Sequence, residues 1–192
     1  KNKKNHITKF ILVGKLDPWR GFDLAIESFA KVVKNNPDVQ LQIIGGGMDK
    51  NRLMNLISKL NMTRHIKMLG RVNQIRCNTL INDSDVFLNP CLKEGAVTTA
   101  FDSIAMLKPL ICFETGGYTR YLKNKCAIVI PIQSRENMII ELKDAILKLT
   151  NIEERKHLIS NTKQIRNQLT WEAKGKEIFN VITNAYREQA DK

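Results

Sequence analysis

Short apolar runs alternate with segments of helical period along most of this chain, and that alternation limits the folds open to it. The runs at 10–13, 39–44, 66–69, 85–88, 110–113 and 127–130 hold four to six residues each. The first three stop at Gly14, Gly45 and Gly70, and the fourth at Asn89-Pro90. Between them, Phe22, Ala25, Ile26, Phe29, Ala30 and Val33 share one helical face, and Leu53, Leu56, Ile57 and Leu60 share another. Helices are predicted over 22–33, 48–60, 72–81 and 98–107, and three more over 135–149, 152–167 and 171–188. The strands are too short and too uniformly apolar for sheets wetted on one side. The expected fold is α/β: a Rossmann-like doubly wound parallel sheet of about six strands with helices on both faces. Ligands of such sheets bind beyond the carboxyl ends of the strands. The loops of interest are thus 14–21, 45–49, 70–73, 89–99 and 114–118.

A length of 192 residues suits a single domain, and 43% hydrophobic with 26% charged residues excludes a disordered chain. No apolar stretch reaches the roughly 18–20 residues of a membrane-spanning helix. The basic N-terminus is not followed by a signal-peptide core, and the widely spaced cysteines suit a reducing, cytoplasmic environment, so a cytoplasmic protein is expected. The unusual quantity is charge: 31 Lys and Arg against 19 Asp and Glu give +12. An excess of this size favours anionic partners. It is spread along both halves of the chain, without a nucleic-acid recognition motif or exposed aromatics among the basic residues. Nucleic acid is therefore not an expected partner, and much of the charge reads as solvated surface. Cys77, Cys91, Cys112 and Cys126 form no Cys-x-x-Cys pair and lie far from His6, His65 and His157, so no metal site is expected.

The loop after the first strand reads Gly14-Lys15-Leu16-Asp17-Pro18-Trp19-Arg20-Gly21. Its two cations and the following helix N-terminus suit an anion, although such a turn is also ordinary surface chemistry. Three glycines, Gly45, Gly46 and Gly47, exclude side chains from the second turn, which suggests that something approaches closely. Glu94 lies in the loop after the fourth strand, and Asp102 follows in the next helix. From spacing, Thr99 and Asp102 also read as a capping box.

Taken in order, these segments resemble the retaining glycosyltransferases of family four, which have the GT-B fold. Gly14-Lys15-Leu16 with Arg20-Gly21 resembles that family's Gly-Arg-Leu…Lys-Gly segment. Residues 41–47 resemble its second strand and Gly-x-Gly turn, 66–72 its third strand and Gly-x-Val, and 84–90 its Ala-Asp-Val-Phe-Leu-x-Pro stretch. Glu94-Gly95 through Pro109 is similar to its Glu-x7-Glu region, Gly116-Gly117 to its paired glycines, and Thr170-Trp171 to its late Ser/Thr-Trp. The likeness runs from about residue 9 to 186 and is to the C-terminal half, which binds the donor.

The resemblance implies a nucleotide sugar as ligand, with no metal and no other cofactor. It also implies an N-terminal acceptor domain as partner. The roles it implies begin with Gly14, Lys15 and Arg20, of which the two cations hold the donor diphosphate. Glu94 lies beside the sugar, and Asp102 bonds the ribose hydroxyls. Gly46, Gly47, Arg71 and Val72 line the base and phosphate region. Val97, Thr98 and Thr99 offer amides or hydroxyls to the diphosphate or sugar. The catalytic set it implies is Glu94, Lys15 and Arg20, in a protein whose isolated donor half transfers no sugar. Two departures stand out. The order of lysine and arginine is reversed, and Asp102 is roughly 1.5 Å shorter in reach than the family's glutamate. The other readings are a nucleotide-sugar-binding regulatory domain without catalysis and a basic polyanion-binding module. The charge also allows an anionic membrane surface as a partner, with a peripheral place at its inner face.

Overall fold

A computed structural model describes residues 7–93, 98–122 and 126–190. Its six strands are β1 (Thr8–Val13), β2 (Val39–Ile44), β3 (Ile66–Gly70), β4 (Val86–Asn89), β5 (Leu110–Phe113) and β6 (Ala127–Ile130). They form one sheet in the order β3-β2-β1-β4-β5-β6, with every neighbouring pair parallel. The chain thus builds outward from β1 in one direction, then returns and builds in the other. The loops after β1 and β4 leave on opposite sides and open a crevice there.

Helices cover both faces, as the apolar runs require. Alternation along β1 sorts the layers, because successive side chains of a strand point to opposite faces. Phe10 and Leu12 join one cluster with β2, α1 (Phe22–Val33), α2 (Lys50–Lys59) and α6 (Arg135–Lys148). Ile11 joins the other, with α3 (Gln74–Asn82), α4 (Thr98–Ala105) and α5 (Tyr118–Leu122). Phe29 meets Phe10 edge to face at 5.7 Å, and the Ser28 hydroxyl donates to the Ile139 carbonyl at 3.0 Å, fastening α1 to α6. Buried Arg155, on α7 (Ile152–Arg166), donates to the carbonyls of Leu149 and Thr150 at 2.8 and 2.9 Å. Those are the free carbonyls that follow α6. The last helix, α8 (Trp171–Ala190), leaves Trp171, Ile178, Phe179, Val181, Ile182 and Tyr186 exposed.

The expected doubly wound parallel sheet is what the structure shows. It differs from the sequence reading in several places, and α2 and α3 begin two residues later than expected, at Lys50 and Gln74. A fifth helix, α5, follows β5, and a single 3-10 turn at Pro18–Arg20 precedes α1. The strand β2 is not uniformly buried: Gln40 and Gln42 are half-buried and alternate with buried Val39, Leu41 and Ile43. Only β3, the edge strand, lies beyond it, and the cover thins toward that edge.

Candidate functional site

The first three strands end in turns that lean on one another. Gly14 N–H donates to Ile44 O at 3.0 Å, Leu16 N–H to Gly46 O at 3.2 Å, and Gly45 N–H to Gly70 O at 2.9 Å. The glycines make this contact possible. Gly45 has φ +145°, and a Cβ there would lie 1.8 Å from the Gly14 carbonyl oxygen. A Cβ on Gly47 would lie 2.3 Å from the Leu16 oxygen. What approaches this glycine run is, at two of its three positions, the chain's own first loop. At the third, Gly46, the neighbour is a cation: a Cβ would sit 2.8 Å from Arg71 Nε.

These turns line an open cavity of about 350 Å³ at the carboxyl ends of the strands. Gly14, Lys15, Gly46, Arg71 and Val72 lie in its wall, so five of the sequence-predicted residues come together there. Val13, Ile44 and Gly45 line it too, as do Gln74 and Cys77 at the start of α3, which the sequence reading does not single out for this site. Their signal was position alone, directly after the Gly70-Arg71-Val72 turn. Gly47 packs under Leu16 instead.

Lys15 and Asp17 form an ion pair, Nζ to Oδ2 at 3.2 Å, with the lysine side chain 62% exposed and the aspartate 4%. Arg20 lies at the end of the 3-10 turn, with Nη1 donating to Cys91 Sγ at 4.0 Å. It therefore faces the segment after β4 and is not among the residues lining the 350 Å³ cavity. That segment is held on two sides. Leu92 N–H donates to Trp19 O at 3.0 Å, and the Thr115 hydroxyl donates to Cys91 O at 3.1 Å. Gly21, at φ +66°, lets the turn pass beneath Pro90, whose oxygen a Cβ would approach to 1.9 Å. Behind it, buried Asn89 Nδ2 donates to Tyr118 Oη at 3.0 Å. Burial pushes the Tyr118 hydroxyl upward and the Cys112 thiol up to about 12.

Glu94 and Val97 lie outside the described residues. Thr98 and Thr99 open α4, so Thr99 is already helical and does not cap it. Asp102 lines a second, larger cavity of about 620 Å³ together with Thr98, Phe101 and the α8 residues Trp171 and Lys174. The two cavities approach each other at Cys77, whose thiol is pushed up by burial and then by the Asp102 charge.

Burial raises the Asp102 carboxyl above its ordinary value of 3.8. The folded chain then keeps this proton to higher pH than the unfolded chain. Across the interval above 3.8 the unfolded state binds fewer protons, so stability falls as pH rises. Asp102→Asn is expected to flatten that part of the curve, read from urea midpoints between acid and neutral pH.

Among the described residues no group of three or more His, Cys, Asp or Glu is placed to hold a metal ion. Nor is any described helix long and apolar enough to cross a membrane.

Comparison with known proteins agrees with this arrangement. An uncharacterized glycosyltransferase of Methanocaldococcus jannaschii is 32% identical over 102 residues, which is 53% of this chain and 25% of that protein. The pneumococcal O-GlcNAc transferase GtfA, solved in complex with UDP and GlcNAc, superposes with a TM-score of 0.77 at 18% identity, over 95% of this chain and 38% of its own. The C-terminal domain of a glycosyl transferase group 1 family protein (LpcC) from Francisella tularensis superposes with a TM-score of 0.74 at 15% identity, over 85% of this chain and 86% of its own. The chain thus spans about a quarter of that curated relative and well under half of GtfA. The sequence model of the glycosyl transferases group 1 family matches residues 1–165, and this chain belongs to that family.

Proposed function

We propose that this chain is the donor-binding domain of a retaining glycosyltransferase, and that it holds a nucleotide-diphosphate sugar whose glycosyl group passes to an acceptor hydroxyl. The observation that carries this reading is the 350 Å³ cavity at the carboxyl ends of the sheet, walled by glycine backbone with Lys15 and Arg71 as its cations. Its size is that of a small-ligand site, and its place is where doubly wound sheets bind nucleotides. The UDP in the GtfA complex and the match to an isolated C-terminal domain support a donor half within a longer protein. The acceptor would be held by the remainder of that protein.

In the transfer, the bond from the anomeric carbon to the diphosphate oxygen breaks. The bond to the acceptor oxygen forms, and the hydroxyl proton leaves. Negative charge grows on the departing diphosphate. Lys15, Arg20 and the N-terminus of α1 would stabilise it, which is electrostatic work that fixed cations and dipoles do well. Glu94 is assigned to the sugar by the resemblance.

A thermal-shift panel of UDP-, GDP- and ADP-sugars tests the reading. A ligand that binds only the folded state raises the midpoint by mass action, by about 2.7 kcal/mol at a hundred times its Kd. One nucleotide class is expected to raise the midpoint by several degrees. No shift with any of them, at millimolar concentration, would remove the donor assignment.

A further inference from the structure

We propose that Asp17 is a counter-charge that discriminates between donor and product: it weakens the hold on a free nucleoside diphosphate more than the hold on its sugar ester. This rests on the donor-domain reading above. The carboxylate sits in the first loop, between the two cations assigned to the diphosphate. It is 3% exposed, beside Leu16, which is fully buried and anchors the loop. Its backbone is fixed on both sides, with Asp17 N–H donating to Lys15 O at 2.9 Å and Asp17 O accepting from Arg20 N–H at 3.0 Å.

The side chain has little structural work to do. It stands at the cap position of the 3-10 turn, yet makes no capping hydrogen bond. Oδ2 pairs with Lys15 Nζ, while Oδ1 is buried with no hydrogen-bond partner among the described residues. Buried polar atoms are nearly always satisfied, and a buried carboxylate held half-satisfied costs stability. Among the described residues, the group it holds is the Lys15 ammonium in the cavity wall. Lys15 is therefore shared between Asp17 and any anion that enters the cavity, and the pair presents less positive charge than the lysine alone.

The consequence depends on ligand charge. A free nucleoside diphosphate in mildly alkaline buffer carries one more negative charge than its sugar ester, because its terminal phosphate has lost a second proton. Each ligand charge is repelled by Asp17. At loop-neighbour distances of about 5–8 Å, in a medium between protein and water, one charge changes binding by roughly fivefold. Asp17 thus penalises the product by about that factor beyond the donor, and helps the diphosphate leave once the sugar has gone.

Calorimetric titration of the whole chain tests this at low salt and mildly alkaline pH. The ligands are UDP, GDP and ADP, each beside UDP-glucose, GDP-mannose or ADP-glucose. The tightest pair found with the unaltered chain is carried to the variants. Asp17→Asn, and Asp17→Ser as a second neutral variant, should tighten the diphosphate roughly fivefold more than the sugar ester. Asp17→Glu should keep the original ratio of the two affinities. A ratio unchanged in the neutral variants, including one in which both ligands weaken equally, overturns the proposal while leaving the donor reading intact. If no nucleotide binds the unaltered chain, the donor reading falls and this inference falls with it.

Discussion

Lys15→Ala is expected to lower nucleoside-diphosphate affinity by about a hundredfold, and Arg20→Ala by roughly tenfold or more. Hydrogen bonds to charged groups are worth about 1.5–3 kcal/mol, a factor of roughly ten to a hundred or more in affinity. The two substitutions differ in what they leave behind. Without Lys15, the buried Asp17 carboxylate loses its counter-ion, 3.2 Å away in the intact chain, and faces the diphosphate directly. The loss of attraction is thus joined by a new repulsion, and the combined variant with Asp17→Asn should recover part of the affinity. Without Arg20, the contact to Cys91 Sγ is lost, but Leu92 N–H still holds the segment after β4 to Trp19. Arg20→Lys should restore the charge without the fork, and with it only part of the binding. Titration calorimetry reads all of these, and unchanged affinity in both alanine variants would sink the diphosphate assignment.

All six strands were legible because each is a short, mostly apolar segment followed by a turn, as strands covered on both faces tend to be. Helix α5 escaped because Tyr118–Leu122 is little more than one turn, too short for a hydrophobic period to show. The half burial of Gln40 and Gln42 in β2 is hidden from the sequence for a different reason. Their exposure follows from a place one strand from the sheet edge, and strand order is a tertiary fact. The site divides likewise. Gly14, Lys15, Gly46, Arg71 and Val72 follow three successive strands, and adjacency of β1, β2 and β3 then gathers them. Asp17 was visible in the loop, but nothing in its spacing separated a buried carboxylate from a solvated one. Asp102 was expected with the same set, yet it lies across α3's Cys77, in the cavity that α8 helps to wall.

The glycines of these turns supply the other large effect, because Gly45, Gly46 and Gly70 should fail in different ways. Gly45→Ala is expected to destabilise the fold by about 3–5 kcal/mol, the range of severe backbone conflicts. At φ +145° the alanine is strained before any contact is considered, and its Cβ would stand 1.8 Å from Gly14 O. That oxygen cannot swing aside as a flexible side chain would. Gly14 N–H is bonded to Ile44 O, Gly45 N–H to Gly70 O, and Leu16 N–H to Gly46 O, so relief would unpick three strand ends together. Gly70→Ala offers the graded comparison: φ is +71°, nothing lies within 4 Å of its Cβ, and only the left-handed strain of about 1–2 kcal/mol remains. Gly46→Ala meets the Arg71 side chain, which can move, so stability should change by less than about 1 kcal/mol. But the displaced guanidinium belongs to the cavity wall, and nucleotide affinity should fall. Urea midpoints and diphosphate titration on the three variants separate the glycine that keeps the turns together from the glycine that keeps the cavity open. Equal loss of stability at Gly45 and Gly46 would contradict that division.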